Sequence, residues 1–231
     1  GYGEYTVGMN MCSLWRTGNH IGWDCITAFP EIKPVMGYYD EAIPEVADWE
    51  IKFMVENGID VQHLCWYCPS GDIKEPIKKS SMNDALHDGF FNAKYSDMQD
   101  FMIMWENAGA GITTFEEFKN NVWNYWVDWY FTDDRYLTID NKPVLTIYQQ
   151  DRFITHMGGT DAAKNTIAFM KEEIKKVLFI KAVAALTAYQ TAVAVDPTSA
   201  ETRIRHERFC AIWDVIESCG LDNEYETWKE G

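Results

Sequence analysis

Apolar and polar positions along the chain switch between a strand-like and a helix-like period. Thr6 to Met11 is a short, apolar, β-prone run, and the Gly-rich aromatic stretch from Ser13 to Trp23 has no periodicity, which predicts a first strand and then a long loop. Pro44 stands where a first helical position should be. Glu45, Asp48, Lys52 and Glu56 recur on one face and Val46, Trp49, Phe53 and Met54 on another, so the spacing predicts an amphipathic helix ended by Asn57-Gly58. Ile59 to Tyr67, bounded by Pro69-Ser70-Gly71, is apolar and aromatic throughout, as suits a parallel strand covered on both faces. A helix over Asn83 to Asn92 and a buried strand at Phe101 to Trp105 follow, then a loop carrying Gly109 and Gly111.

Thr114-Phe115-Glu116-Glu117 has the capping-box arrangement, and Phe115, Phe118, Val122, Tyr125, Trp126 and Trp129 continue it as a helical apolar stripe. Leu137-Thr138-Ile139 and Val144 to Tyr148 read as strands around the turn signal Asp140-Asn141-Lys142-Pro143. Ile167, Met170, Ile174 and Val177 mark another helix. Beyond it Ala182 to Ala194 is Ala- and Thr-rich and fits a strand, a helix or both; Ile180 to Ala185 is read as a strand and Ala200 to Cys219 as a helix. Strands alternating with helices predict an α/β fold, a parallel sheet with right-handed crossovers that is either open and doubly wound or closed into a barrel. The 231 residues suit one domain, 1–231, with the part after about 180 the hardest to parse; there is no internal repeat and no low-complexity tract.

A net charge of −16 argues against nucleic acid and anionic membrane as partners, since binders of either gather Lys and Arg on one face. The nearest basic run, Lys74 to Lys79, is interrupted by Glu75 and Pro76. No uninterrupted apolar stretch reaches the roughly 20 residues of a membrane helix. The longest candidate, Ile180 to Val195, carries Lys181, Thr187, Gln190 and Thr191, so a soluble protein is expected. The opening Gly1-Tyr2-Gly3 reads as a processed form or a piece of a longer chain.

The chain holds 10 Trp and 12 Tyr, several in segments that also carry Asp, Glu and Asn. Rings that stack on the apolar faces of pyranosides, beside groups that bond their hydroxyls, make a sugar site, although most single Trp residues simply fill a core. Cys65-Trp66-Tyr67-Cys68 has redox spacing, but Pro69-Ser70-Gly71 follows where a redox site would open a helix. A zinc site from His63, Cys65 and Cys68 lacks a fourth ligand, and strand alternation points Cys68 away from the other two. Cys12, Cys25, Cys210 and Cys219 read as buried thiols. Gly109-Ala110-Gly111 is too short for a dinucleotide fingerprint, and neither a phosphate-loop Lys motif nor a Gly-x-Ser-x-Gly elbow occurs, so no cofactor, no metal and no serine nucleophile is expected. What remains is carboxylates at strand ends. Glu106 directly follows Phe101 to Trp105 and would stand at the C-terminal rim of a parallel barrel, where bond-breaking groups are placed, or there simply cap a loop or pair with a Lys or Arg. Asn107 lies beside it, Trp66 and Tyr67 end the preceding strand, and Tyr148 with Gln149 ends the next.

Several blocks carry a family resemblance. Gly37-Tyr38-Tyr39-Asp40-Glu41, Pro44 to Lys52, Glu56 to Asp60 and Cys65-Trp66-Tyr67, preceded by Phe29-Pro30-Glu31 and Lys33-Pro34, are similar to the N-terminal signature of glycoside hydrolase family 99 and its WbsX-like relatives. Phe101 to Asn107, and Tyr136 to Val144 leading to Ile147-Tyr148, agree in order and spacing. The resemblance implies a (β/α)8 barrel of the TIM type, incomplete or divergent at its C-terminal end, that acts on oligosaccharide or polysaccharide, with α-mannoside-cleaving glycosidases as the best characterised members. It implies Glu106 as the strand-end glutamate that helps hold the sugar at the cleavage site, and Trp66, Tyr67, Asn107 and Tyr148 as sugar-site lining; with its rim position this makes Glu106 the candidate catalytic residue. The family's late Asn-Glu-Trp-x-Glu-Gly motif is absent as such; Glu226-Thr227-Trp228-Lys229-Glu230-Gly231 has Thr at the first glutamate position, and neither Glu226 nor Glu230 is assigned. Gly220-Leu221-Asp222 reads as the approach to a later strand, so an open strand edge is expected. Two other functions stay open: a non-catalytic glycan-binding or structural remnant, and a polysaccharide-biosynthesis protein of the WbsX type.

Overall fold

A computed structural model describes residues 5–10, 28–68, 83–108, 114–140, 142–218, 220–222 and 224. The loop at 13–23, the segment at 69–82, Gly109-Ala110-Gly111, Cys12, Cys25, Cys219 and the closing 225–231 lie outside these residues. Strand β1 (Val7–Asn10) leads to helix α1 (Pro44–Glu56) and strand β2 (Val61–Tyr67). A wide π-type turn (Ala85–Gly89) and a 3-10 turn (Phe90–Asn92) cross over to β3 (Asp100–Glu106). Helix α2, residues 115–131, the short hairpin of β4 (Thr138–Ile139) and β5 (Lys142–Pro143), and strand β6 (Leu145–Ile147) follow. Helices α3 (Gln150–Met157), α4 (Thr160–Val195) and α5 (Ala200–Ser218) end the described chain.

Strands β1, β2, β3 and β6 form one sheet in that order, every pair parallel, so this is a mixed α/β fold whose strands advance across the sheet in chain order. Successive side chains on a strand point to opposite faces. The register puts Leu64 and Trp66 beside Ile103 and Trp105, with Leu145 and Ile147 next in line, on the face that the helices cover. Aromatic packing closes that face. Trp126 meets Trp66 edge-on at 5.2 Å and Trp105 at 5.4 Å, and Phe118 stacks on Trp105 at 5.7 Å. Gly89 is required where the first crossover passes under the loop before α1, because a Cβ there would meet the Glu41 carbonyl oxygen at 2.0 Å.

Helix α1 starts at Pro44 and ends at Asn57-Gly58 as its pattern predicts, with Gly58 at φ +70°. Its buried stripe is different. Ala47 and Ile51 face the core, while Trp49 and Phe53, assigned to the apolar face by their size, are largely exposed and lie against each other at 5.7 Å. In α2 the capping box forms, with the Glu117 N–H donating to the Thr114 hydroxyl at 3.2 Å. Its stripe then drifts out of α phase: Tyr130 and Phe131 are buried and Trp129 is 50% exposed. Two π-type turns, Phe118–Trp123 and Val127–Phe131, close i to i+5 and rotate the apolar face away from Trp129.

The strand expected at Ile180 to Ala185 is instead the middle of α4, a helix of 36 residues. Ala-rich sequence favours helix, and the buried Leu178, Ala182 and Ala185 recur at helical spacing. Taken whole, α4 is also long and apolar enough, by length and composition alone, to cross a membrane, which a search for an uninterrupted apolar run overlooks. Its second half pairs with α5 as a hairpin at the N-terminal edge of the sheet. There Lys181 Nζ donates to the Asp133 carbonyl at 3.2 Å and Arg208 pairs with Asp134. Arg135 braces the same edge: it forks onto Asp133 at 2.8 and 3.0 Å, lies over the rings of Phe90 and Phe91, and its carbonyl accepts from the Phe101 N–H.

Candidate functional site

The face of the sheet opposite the helices carries the polar chemistry. Alternation and register place His63 beside Met102, Cys65 beside Met104 and Thr146, and Tyr67 beside Glu106. His63 Nε2 lies 2.6 Å from Thr146 Oγ1, so a β2 side chain reaches β6 across β3. Such a reach needs the face to be concave. Burial pushes the His63 pKa down and keeps the imidazole neutral near pH 7.

Glu106 is the last residue of β3 and stands at the C-terminal edge of this face, partly buried, with Oε1 accepting from the Ala108 N–H at 3.1 Å. Tyr67, its register partner, ends β2. The Tyr148 N–H donates to the Trp105 carbonyl at 3.0 Å and extends the β6 pairing by one residue. Two positions beyond Thr146, Tyr148 falls on the Glu106 face and is 55% exposed. Glu106, Tyr67 and Tyr148 therefore converge on one rim.

Asn107 and Trp66 reach the same rim but are engaged otherwise. Asn107 is 3% exposed; its Nδ2 donates to the Gln149 carbonyl at 2.7 Å and its Oδ1 accepts from the Gln149 N–H at 2.8 Å. Trp66 is fully buried on the helix side, edge-on to Trp126, so it shares an end of the sheet with Glu106 but not a face.

Cys65 lies one pleat below Tyr67. Burial raises its thiol pKa, the Glu106 charge raises it further, and a hydrogen bond with Tyr67 draws it partly back. Burial alone pushes Cys68 up to about 12. Thiols held protonated in this way are poor nucleophiles, the reverse of a redox pair. Among the described residues no group of three His, Cys, Asp or Glu could hold a metal ion.

Two grooves between described residues lie elsewhere. One of about 560 Å³ separates the α4–α5 hairpin from Thr132 and Asp134, and one of about 530 Å³ runs along Leu145 and Ile147 beside Ile167, Met170 and Ile174. The second flanks β6, which has a partner on one side only among the described residues.

Sequence reasoning did not single out Asn83 or Thr146. Asn83 is 3% exposed, and its side chain bonds both the N–H and the carbonyl of Tyr67, at 2.8 and 2.9 Å. Its one signal was an amide at the start of a helix, which most often serves as a cap. The chain matches no curated protein and no solved structure. Residues 29–213, most of the chain and all of the strands from β2 to β6, match the family model described as Glycosyltransferase WbsX. This chain therefore belongs to the WbsX glycosyltransferase family, whose domain suggests a glycan-related function.

Proposed function

We propose that this chain is the N-terminal and central part of a (β/α)8 barrel that processes glycans at the rim formed by the ends of β2, β3 and β6, with Glu106 as a catalytic carboxylate. One observation carries the reading: Glu106 ends a central parallel strand on the face opposite the helices, with Tyr67 in register beside it and Tyr148 on the next strand. Chain-order advance of parallel strands supports a barrel, because a doubly wound sheet reverses its strand order at the crevice where ligands bind. Among the described residues β6 pairs on one side only, and on its other side the next strand would pair.

In this reading the rings of Tyr67 and Tyr148 pack against sugar faces and their hydroxyls bond the polar edges. Glu106 is placed to accept a hydroxyl or anomeric charge, and His63, neutral and hydrogen-bonded to Thr146, lines the floor. Trp66 supports the site from beneath. Asn107 supports it through the backbone. The resemblance to family 99 favours cleavage of α-mannoside-type glycans. The description of the matching family favours a second reading, transfer during polysaccharide biosynthesis.

The test is to incubate the protein with α-mannan, with bacterial surface polysaccharides and with an activated sugar plus acceptor, comparing wild type and Glu106→Gln. Cleavage or transfer that falls at least about 100-fold in the variant supports the carboxylate role. Equal turnover by both proteins removes Glu106 from the mechanism. Binding of a glycan without turnover leaves a lectin-like remnant as the function.

A further inference from the structure

Hydrogen-bonded pairing between the strands stops at the rim, and two asparagine side chains take over there. Asn107 exchanges two bonds with the backbone of Gln149, and Asn83 exchanges two with the backbone of Tyr67. Each amide offers one donor and one acceptor to the N–H and carbonyl of a single residue, as the backbone of a neighbouring strand would. Both side chains are 3% exposed, so water does not compete freely for these groups. Each clamp sits beside a rim group. Asn107 follows Glu106 and its partner Gln149 follows Tyr148, so one side chain ties the end of β3 to the residues after β6. Asn83 opens the crossover 83–92 and holds the backbone of Tyr67 itself.

We propose that Asn107 and Asn83 are positioning residues that set the spacing of Glu106, Tyr67 and Tyr148 across the three strand ends. They act through the backbone and do not touch the ligand. The inference rests on the saccharide reading of that rim, and its test separates the two. The chemistry is specific, because an Asp of the same shape turns the donor toward the Gln149 carbonyl into an acceptor when ionised and restores a donor when protonated.

The experiment measures amide hydrogen exchange at Gln149 in wild type, Asn107→Ala, Asn107→Asp and Arg135→Ala, together with affinity for α-mannan oligosaccharide as the probe. Arg135 braces the opposite edge of the sheet, so its variant lowers stability without touching the clamp. In Asn107→Ala the Gln149 protection factor should fall by about tenfold or more, the scale of one lost hydrogen bond. In Asn107→Asp the carboxylate still accepts from the Gln149 N–H but faces the Gln149 carbonyl without a donor, so protection should lie between wild type and Asn107→Ala at pH 7 and rise at about pH 4, where a carboxyl protonates. Mannan affinity should weaken about tenfold in Asn107→Ala and stay at the wild-type level in Arg135→Ala. Wild-type protection of Gln149 in Asn107→Ala overturns the clamp. Equal loss of affinity in Asn107→Ala and Arg135→Ala overturns its positioning role. If wild type binds no mannan, the mannan form of the saccharide reading fails and the exchange data alone decide the clamp.

Discussion

Two faces of the same strands behave as different materials. On the helix side Trp66, Phe101, Ile103 and Trp105 are sealed under Phe118, Trp126 and Tyr130, ring against ring. On the other, at the alternate positions of β2, β3 and β6, stand His63, Cys65, Tyr67, Met104, Glu106 and Thr146, several of them partly exposed and bonded to one another. Neighbours in sequence therefore differ more than residues 39 positions apart: Trp66 belongs with Trp105, and Tyr67 with Glu106. Stability is concentrated on one face and candidate chemistry on the other. Substitutions should separate accordingly.

The largest effect expected is on chemistry alone. Glu106→Gln should lower glycan turnover by about 100-fold or more while leaving the melting temperature near wild type, since its carboxylate carries no core packing. Trp105→Ala should do the reverse and remove about 3–5 kcal/mol of stability in denaturant unfolding, the usual result of emptying a large buried site. Trp129→Ala, on the same helical stripe by sequence but half exposed, should change stability by no more than about 0.5 kcal/mol. A Trp129→Ala loss as large as that of Trp105→Ala would show that the π-type turns do not rotate α2 as described.

His63 sharpens the comparison through pH. Burial holds its pKa below the unfolded value of about 6.5, so well above that pH both states are neutral and its contribution is fully present. As pH falls through about 6.5 the unfolded chain takes up the proton first, and stability is lost down to the folded pKa. His63→Gln should therefore flatten the acid side of the stability profile relative to wild type. Parallel profiles for the two proteins would mean that the imidazole is not held neutral on that face.

Much of the fold was legible because parallel strands buried on both faces leave long apolar runs, and Thr6 to Met11, Ile59 to Tyr67, Phe101 to Trp105 and Val144 to Tyr148 each contain a strand of the sheet. Helix phase was less legible. Side-chain size drew Trp49 and Trp129 inward, whereas Ala47 and Ile51 are the buried residues of α1 and π-type turns re-aimed α2. At Ile180 to Ala185, β-branched residues among alanines suggested a strand, and the continuing Leu178, Ala182, Ala185 spacing decided for helix. For the candidate site, position at a strand end located the rim but not the face. A run such as Cys65-Trp66-Tyr67 is aromatic on both sides, so sequence does not say which ring meets helices and which meets a ligand. Nor does it show that the amide of Asn107 is spent on Gln149, 42 residues later.

The central claim is that ligand meets the Glu106 face and not the tryptophan face. Titration of the protein with α-mannan oligosaccharide, followed by NMR of methionine methyls and tryptophan indoles, tests it most directly. The account predicts that the methyl of Met104, one pleat below Glu106, shifts with saturable dependence while the indole signals of Trp66 and Trp105 stay in place. Movement of those indoles with Met104 unchanged, or no shift on either face, would contradict it.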